Sequence, residues 1–307
     1  MSRAQTEQAA SLDALAQGGL PLRAQRRLGE IGKAGSGFFT SDLSVDEFAL
    51  VHALGLRPIS QVMGSSIYHV GWQQQPGIYG GFQPAGVSQE LTVISDAWNT
   101  ARLRAFDRLE QEAKLVGASA VVGVHVTRGQ HDWAAGAIEY VAVGTAIGDG
   151  AAATETPTLS DLSGQDTWKL WQAGYRPLGV VGASTVHYIV PGWSTQQASG
   201  YWSSWANQEL PDFTRGVYDA RETAIGRMTA EARTLGAAGV VGVSIEHSAE
   251  ERESGAGGSR RRDLVVTFHV LGTAIGARQA DGRHLEVSPR IELRKESLSP
   301  HVLGGSR

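Results

Sequence analysis

The chain has nine histidines and no cysteine among its 307 residues, so any soft-metal site would rest on imidazole, methionine and carboxylate. His69 and His187 each lie in a strand-like segment that follows a glycine, in matching places of an internal repeat, with Glu90 and Glu209 as nearby carboxylates. Imidazole and carboxylate together suit zinc, nickel and similar divalent transition ions. The opposing reading is a hydrogen-bonded histidine that fixes a strand or an interface. It carries more weight, because no compact ligand spacing of the HExxH or CxxC kind occurs. His125, His131 and Asp132 form a weaker group in the first half alone and read as a surface loop.

A second set of residues suits recognition better than reaction. Trp72 and Trp193 match in the repeat, whereas Trp202 and Trp205, in GYWSSWANQ, have no tryptophan counterparts in IYGGFQPAG. Aromatic rings in a glycine- and serine-rich insertion can line a small-molecule pocket or dock a partner; equally, they can pack over the ends of their own sheet. Arg102 and Arg221 recur on two matching helices, as do the pairs Arg108 with Glu112 and Arg227 with Glu231. Residues four apart share a helix face, so modest surface ion pairing is expected for those pairs. The alternative for Arg102 and Arg221 is an anionic ligand held at a module interface.

Enzymatic signals are lacking. GDGAAA at 148–153 mimics part of a dinucleotide fingerprint but opens no helix of a βαβ unit, and no Walker motif or GxSxG elbow occurs. A formal charge of -4 argues against nucleic acid, which calls for a clustered basic surface. No spanning-length apolar run and no signal-like leader are present, so a cytoplasmic protein without a transmembrane segment is expected.

The elements that must position these residues come in two copies. EAKLVGASAVVGV at 112–124 returns as EARTLGAAGVVGV at 231–243 with 8 of 13 positions identical, and SDLS and RP return with the same displacement of 119. The closing GTAIG returns displaced by 128. Ordered matches of this kind indicate duplication. The implied organisation is an extension with a short helix (1–37), a first module (38–148), a linker (149–157), a second module (158–277) and a C-terminal extension (278–307). In the extension, the helix is read as docked on the body or mobile rather than membrane-bound.

Within each copy, β-branched and aromatic runs at 56–72 and 175–190 read as early strands broken by Gly64 and Gly182. A helix follows from about 97 to 116, matched by one carrying Ala220, Ala224, Met228, Ala232 and Leu235; Gly117 and Gly236 suit the helix ends. Strand pairs at 120–127 with 138–147 and at 239–246 with 264–275 complete the copies, and EERESGAGGSRRRD at 250–263 reads as a solvated hairpin tip. Strict alternation would turn Val122, Val124 and Val126 toward the helix. One helix covers one side of a sheet, so the other side should meet another module.

In ARLRAFDRLEQEAKLVGASAVVGV with EYVAVGTAIG, and in ARETAIGRMTAEARTLGAAGVVGV with VTFHVLGTAIG, the chain resembles the YbjQ-like family, whose description is heavy-metal binding. The resemblance covers most of 41–148 and 160–276. It implies a small βαββ subunit of the dodecin-like type that assembles into rings, pentameric for single-module members. A covalent pair of modules cannot fill a five-membered ring with whole chains. Either the copies occupy stacked rings or the ring has an even number of modules.

The expected fold is therefore α+β: two tandem βαββ modules, each an antiparallel sheet with one helix on one face, assembling into a ring-like homo-oligomer. The expected function is a non-enzymatic binding or scaffold protein that engages a small ligand or protein partner. Divalent metal binding by His69, His187, Glu90 and Glu209 is the rival, and an enzyme formed at module interfaces ranks third.

Overall fold

The computed structural model describes residues 3–34, 38–72, 85–131, 136–149, 156–198, 207–254 and 261–278. Two N-terminal helices, α1 (Arg3–Ala16) and α2 (Leu22–Ala34), form a hairpin where one short helix was expected. The first copy follows as α3 (Val45–Ala53), β1 (Arg57–His69), β2 (Val87–Glu90), α4 (Thr92–Leu115), β3 (Ala120–His131) and β4 (Ala137–Gly148). The second runs β5 (Thr158–Leu159), α5 (Gly164–Gln172), β6 (Tyr175–Val190), α6 (Trp193–Ala198), α7 (Pro211–Thr234), β7 (Gly239–Ser254) and β8 (Arg261–Ala277).

The short helices α3 and α5 add to the expected βαββ plan, and their start signals lie in the repeated SDLS. The Ser44 hydroxyl accepts from the Glu47 N–H while the Glu47 carboxylate accepts from the Ser44 N–H, a reciprocal cap on two otherwise orphaned donors. Ser163 caps α5 by accepting the Asp166 N–H, and its hydroxyl donates to the Asp166 carboxylate. The long helices α4 and α7 stop at Gly117 and Gly236, whose φ of 76° and 66° only glycine takes without penalty.

Each sheet borrows a strand from the other copy, which changes the expected picture of one antiparallel sheet within each module. The first sheet runs β1-β4-β3-β5 and the second β2-β6-β8-β7. Thus β5 of the second copy lies parallel to β3 of the first, and β2 of the first lies antiparallel to β6 of the second. A sheet edge presents unpaired N–H and C=O groups, and each copy satisfies some of the other's.

Helix α4 packs on β1 and β4 and also against β6, whereas α7 packs on β6 and β8. Strand β6 shows the consequence in its period of two. Val181, Ala183 and Ile189 join Ala220, Ala224 and Met228 of α7; Val186, Tyr188 and Val190 join the cluster containing Trp98, Ala101 and Leu109 of α4. The uncovered face of the second sheet therefore meets the first module. The matching face of the first sheet leaves Met63 and Ile67 about half exposed (48% and 57%).

Three local expectations are corrected. β1 and β6 run unbroken through Gly64 and Gly182; a Cβ at Gly64 would collide with the Ala105 carbonyl of α4, so glycine there admits the helix rather than ending the strand. A β-bulge between Val122 and His125, with Gly123 at φ 65°, shifts the alternation of β3. Val121 and Val124 consequently join the α4 side, while Val122 joins Val51 of α3 on the other. Finally, β7 and β8 stay paired out to Ser254 and Arg261, so most of the expected hairpin tip is strand.

Candidate functional site

His69 and His187 are one residue out of register as counterparts. His69 faces Ala137 and His187 faces Val266, and the closing strands are displaced by 128, so Tyr188 matches His69 and Tyr68 matches His187. A one-residue slip in a strand turns a side chain to the opposite face. His69 is exposed. His187 is 6% exposed, its Nδ1 lies 3.1 Å from Ser88 Oγ, and its buried Nε2 meets no protein partner. Burial lowers its pKa, partly offset by the charges of Glu90 and Asp219.

Glu90 pairs with His187 across β2 and β6, but Arg227 already grips its carboxylate through two bonds of 2.5 and 2.9 Å. Burial alone would raise its pKa; hydrogen bonds from Arg227 and Ser95 and the guanidinium charge carry it below the ordinary value. Glu209 is exposed ahead of α7. Among the described residues no three His, Asp or Glu groups converge as a metal site would require. The four expected donors do not fit one divalent ion; His187 and Glu90 alone are adjacent.

Trp72 and Trp193 are strongly exposed (77% and 72%), each beside a strand end. Trp202, Trp205 and Asp132 lie outside the described residues, as do most of the linker and of the C-terminal extension. His125 is exposed, 3.6 Å from Asp42.

The helix arginines do not form the expected i,i+4 pairs. Arg102 is 5% exposed and donates to both carboxylate oxygens of Glu231 on α7 (3.2 and 3.1 Å), so an anion does sit on it at the module interface, supplied by the chain itself. Arg221 is more exposed and pairs with Glu222. Glu112 and Glu231 accept the backbone N–H groups of Met63 and Gly182 at 2.8 and 3.0 Å, and Arg108 donates to the carbonyls of Ser65, Leu15 and Gly19. These side chains serve neighbouring strands because β1 and β6 leave backbone groups there without a full strand partner.

A cleft between the copies was not foreseen. Trp98, Arg128, Gln130, Glu246, His247 and His269 line it. Trp98 meets the edge of His269 at 4.9 Å, the Ser184 hydroxyl lies 2.8 Å from His269 Nδ1, and Arg128 bonds Glu246 at 2.7 Å while lying over Tyr140. Burial, with Arg128 adding to it, pushes His269 down to about 3, so its imidazole is neutral. The available signal was divergence between copies: Val141 and Val217 stand at the places matching His269 and Trp98. The cleft joins the copies, and the hydroxyl that meets its His269 imidazole, that of Ser184, is itself buried (2% exposed).

The comparisons agree with this architecture. Encapsulin nanocompartment protein Rv1762c of Mycobacterium tuberculosis is 38% identical over 245 residues, spanning 77% of this chain and 85% of that protein. No solved structure gives a significant match. The YbjQ family model, described as "Putative heavy-metal-binding", matches residues 82–148 and again 194–277. Both matches run from the segment before a long helix through its closing strand pair, and by this double match the chain belongs to the YbjQ family, carrying it as two tandem copies.

Proposed function

We propose that the chain is a non-enzymatic, self-associating scaffold that works in the cytoplasm as part of an encapsulin nanocompartment. The observation that carries this reading is the relative named as an encapsulin nanocompartment protein, of which this chain covers 85%. The geometry supports it. Polar and charged side chains at the module junction are engaged in joining the copies, as Arg102 with Glu231 and Arg227 with Glu90 show. Exposed Trp72 and Trp193 supply partner contacts; large aromatic surfaces are common anchors in protein recognition.

The test is sedimentation of extract from cells producing the tagged chain together with an encapsulin shell protein. Sedimentation with compartment-sized particles is expected, weakened by serine at Trp72 and Trp193. Migration as a free small species in the presence of assembled shells would sink the reading.

Metal binding is the second reading, favoured by the family description and by the partnerless Nε2 of buried His187 beside Glu90. Elemental analysis of purified protein separates the two. Stoichiometric metal, lost when His187 is alanine, would put metal binding first.

A further inference from the structure

The two copies carry matching surfaces, and among the described residues one set of them is joined within the chain. Residues 158–163 seal the outer edge of β3: the Ser160 N–H donates to Val121 O at 2.9 Å, Gly123 to Leu162 O at 2.8 Å and Val124 to Ser160 O at 3.0 Å. Beside them, Gly164 of α5 sits against Glu47 and Val51 of α3. Among the described residues no strand lies along the edge of β7 that matches β3, and β7 ends its sheet. Val243 is 43% exposed there, against 3% for its counterpart Val124.

The segment that matches 158–163 is 39–44, and it is exposed in its turn. Phe39 is 40% exposed and Val45, the counterpart of Gly164, 84%. Both segments are nevertheless fixed in the same way on their own sheets. The Asp42 N–H donates to Thr145 Oγ1 and the Asp161 N–H to Thr273 Oγ1, and each threonine hydroxyl returns a bond to the aspartate carboxylate. Among the described residues, a donor segment and an acceptor edge that match the β5–β3 contact are thus both preformed, and neither makes that contact.

We propose that copies of this chain associate head to tail, with residues 39–43 of one copy adding in parallel to β7 of the next as β5 adds to β3. This deepens the self-association reading above and rests on it. Carried over from Thr158 opposite Ala120 and Leu159 opposite Val121, the register puts Phe39 opposite Gly239 and Thr40 opposite Val240. Such a heterologous contact repeats, and it closes into a ring or runs on as a filament.

The other half of the junction bears on control. On the second module, Glu90 holds Arg227, Arg102 holds Glu231 and Asn99 bonds the backbone of Ser184. At the matching places on the first module, the N-terminal hairpin stands in for a neighbour. Arg108 bonds Leu15 O and Gly19 O, the Arg27 charge acts on Glu112, and Leu28 is fully buried. Head-to-tail addition therefore requires the hairpin to move aside.

The absence of cysteine makes the test clean. Thr40→Cys and Val240→Cys together, in the full chain under mild oxidation, should give a ladder of disulfide-linked multiples, since adjacent strands lie within disulfide reach. The single variants mixed one to one should stop at dimers, and either alone should link at least about tenfold more slowly. Adding Arg27→Glu, which sets two carboxylates together under the hairpin, should speed the ladder about tenfold. No linkage in either background, where native mass spectrometry shows multimers of the unaltered chain, overturns the proposal and leaves self-association standing. A chain that stays single at every concentration and never links overturns both. Equal ladder rates with and without Arg27→Glu overturn the hairpin's part.

Discussion

Asp263 is completely buried on β8 and is the hub of a polar cluster. Arg261 donates to both of its oxygens (2.6 and 2.9 Å), the Tyr188 hydroxyl donates at 2.7 Å, and Ser254 adds a fourth bond. Burial, then the bonded Asp263 and its charge, pushes the Tyr188 phenol up to about 12. Asp263→Ala removes the carboxylate that binds Arg261 and should cost about 3 kcal/mol in denaturant unfolding. A loss within the noise of a surface substitution would show the cluster to be incidental. His269 gives a pH signature. Its folded value near 3 lies below the ordinary 6.5, so the unfolded chain takes up the proton first as pH falls. The contribution is intact above about 6.5 and is lost as pH falls toward 3, reaching about 2 kcal/mol by pH 5. The lowered His187 acts with the same sign. His269→Val, which installs the residue found at Val141, should flatten the fall in thermal midpoint between pH 7 and 5; an unchanged slope would place the proton uptake elsewhere.

Helices α4 and α7 are near-copies in sequence, yet their surroundings differ. Trp98, Arg102, Phe106, Arg108 and Glu112 are buried on α4, whereas the buried positions of α7 are Gly216, Ala220, Ala224, Met228 and Ala232. The alanine periodicity, the terminal glycines and the closing strand pairs were legible because each is a local pattern. The bulge at Gly123 was not, since valines on both sides of it satisfy either alternation and only pairing with β4 reveals the extra residue. The SxxE cap of α3 was readable in Ser44 and Glu47 but short enough to pass for a loop. Gly64 tests how closely α4 must approach. Gly64→Ala places a methyl group against the Ala105 carbonyl and Leu109 nitrogen, backbone atoms that cannot swing away. A loss of about 3 kcal/mol is expected in chemical denaturation. Tolerance of alanine would mean that the helix rides higher on β1.

At the scale of the whole molecule, exchange of β2 and β5 makes the copies interdependent. An isolated second copy would lose β2 and α4 from β6 and expose Val186, Tyr188, Val190 and Leu271. Residues 158–277 alone should therefore bind a hydrophobic dye strongly where the full chain does not. Weak dye binding with a cooperative melt would show that the second sheet does not depend on the first module. The same interdependence explains how much of the candidate site could be read in advance. Arg102 was singled out, with a module interface as one option, but its anion proved to be Glu231, 129 positions away. His69 and His187 looked equivalent by spacing from the nearest glycine, and strand register, in line with the repeat displacement of 119, separates them by one residue.

By itself the sequence determined the duplication, the order of long helix and strand pair in each copy, and the family, because these reside in local periodicity and repeated motifs. Tertiary structure alone decided which copy completes which sheet, which face each histidine takes and where the hairpin lies. Those outcomes depend on unpaired backbone groups finding partners far along the chain, a condition that short-range residue patterns do not encode.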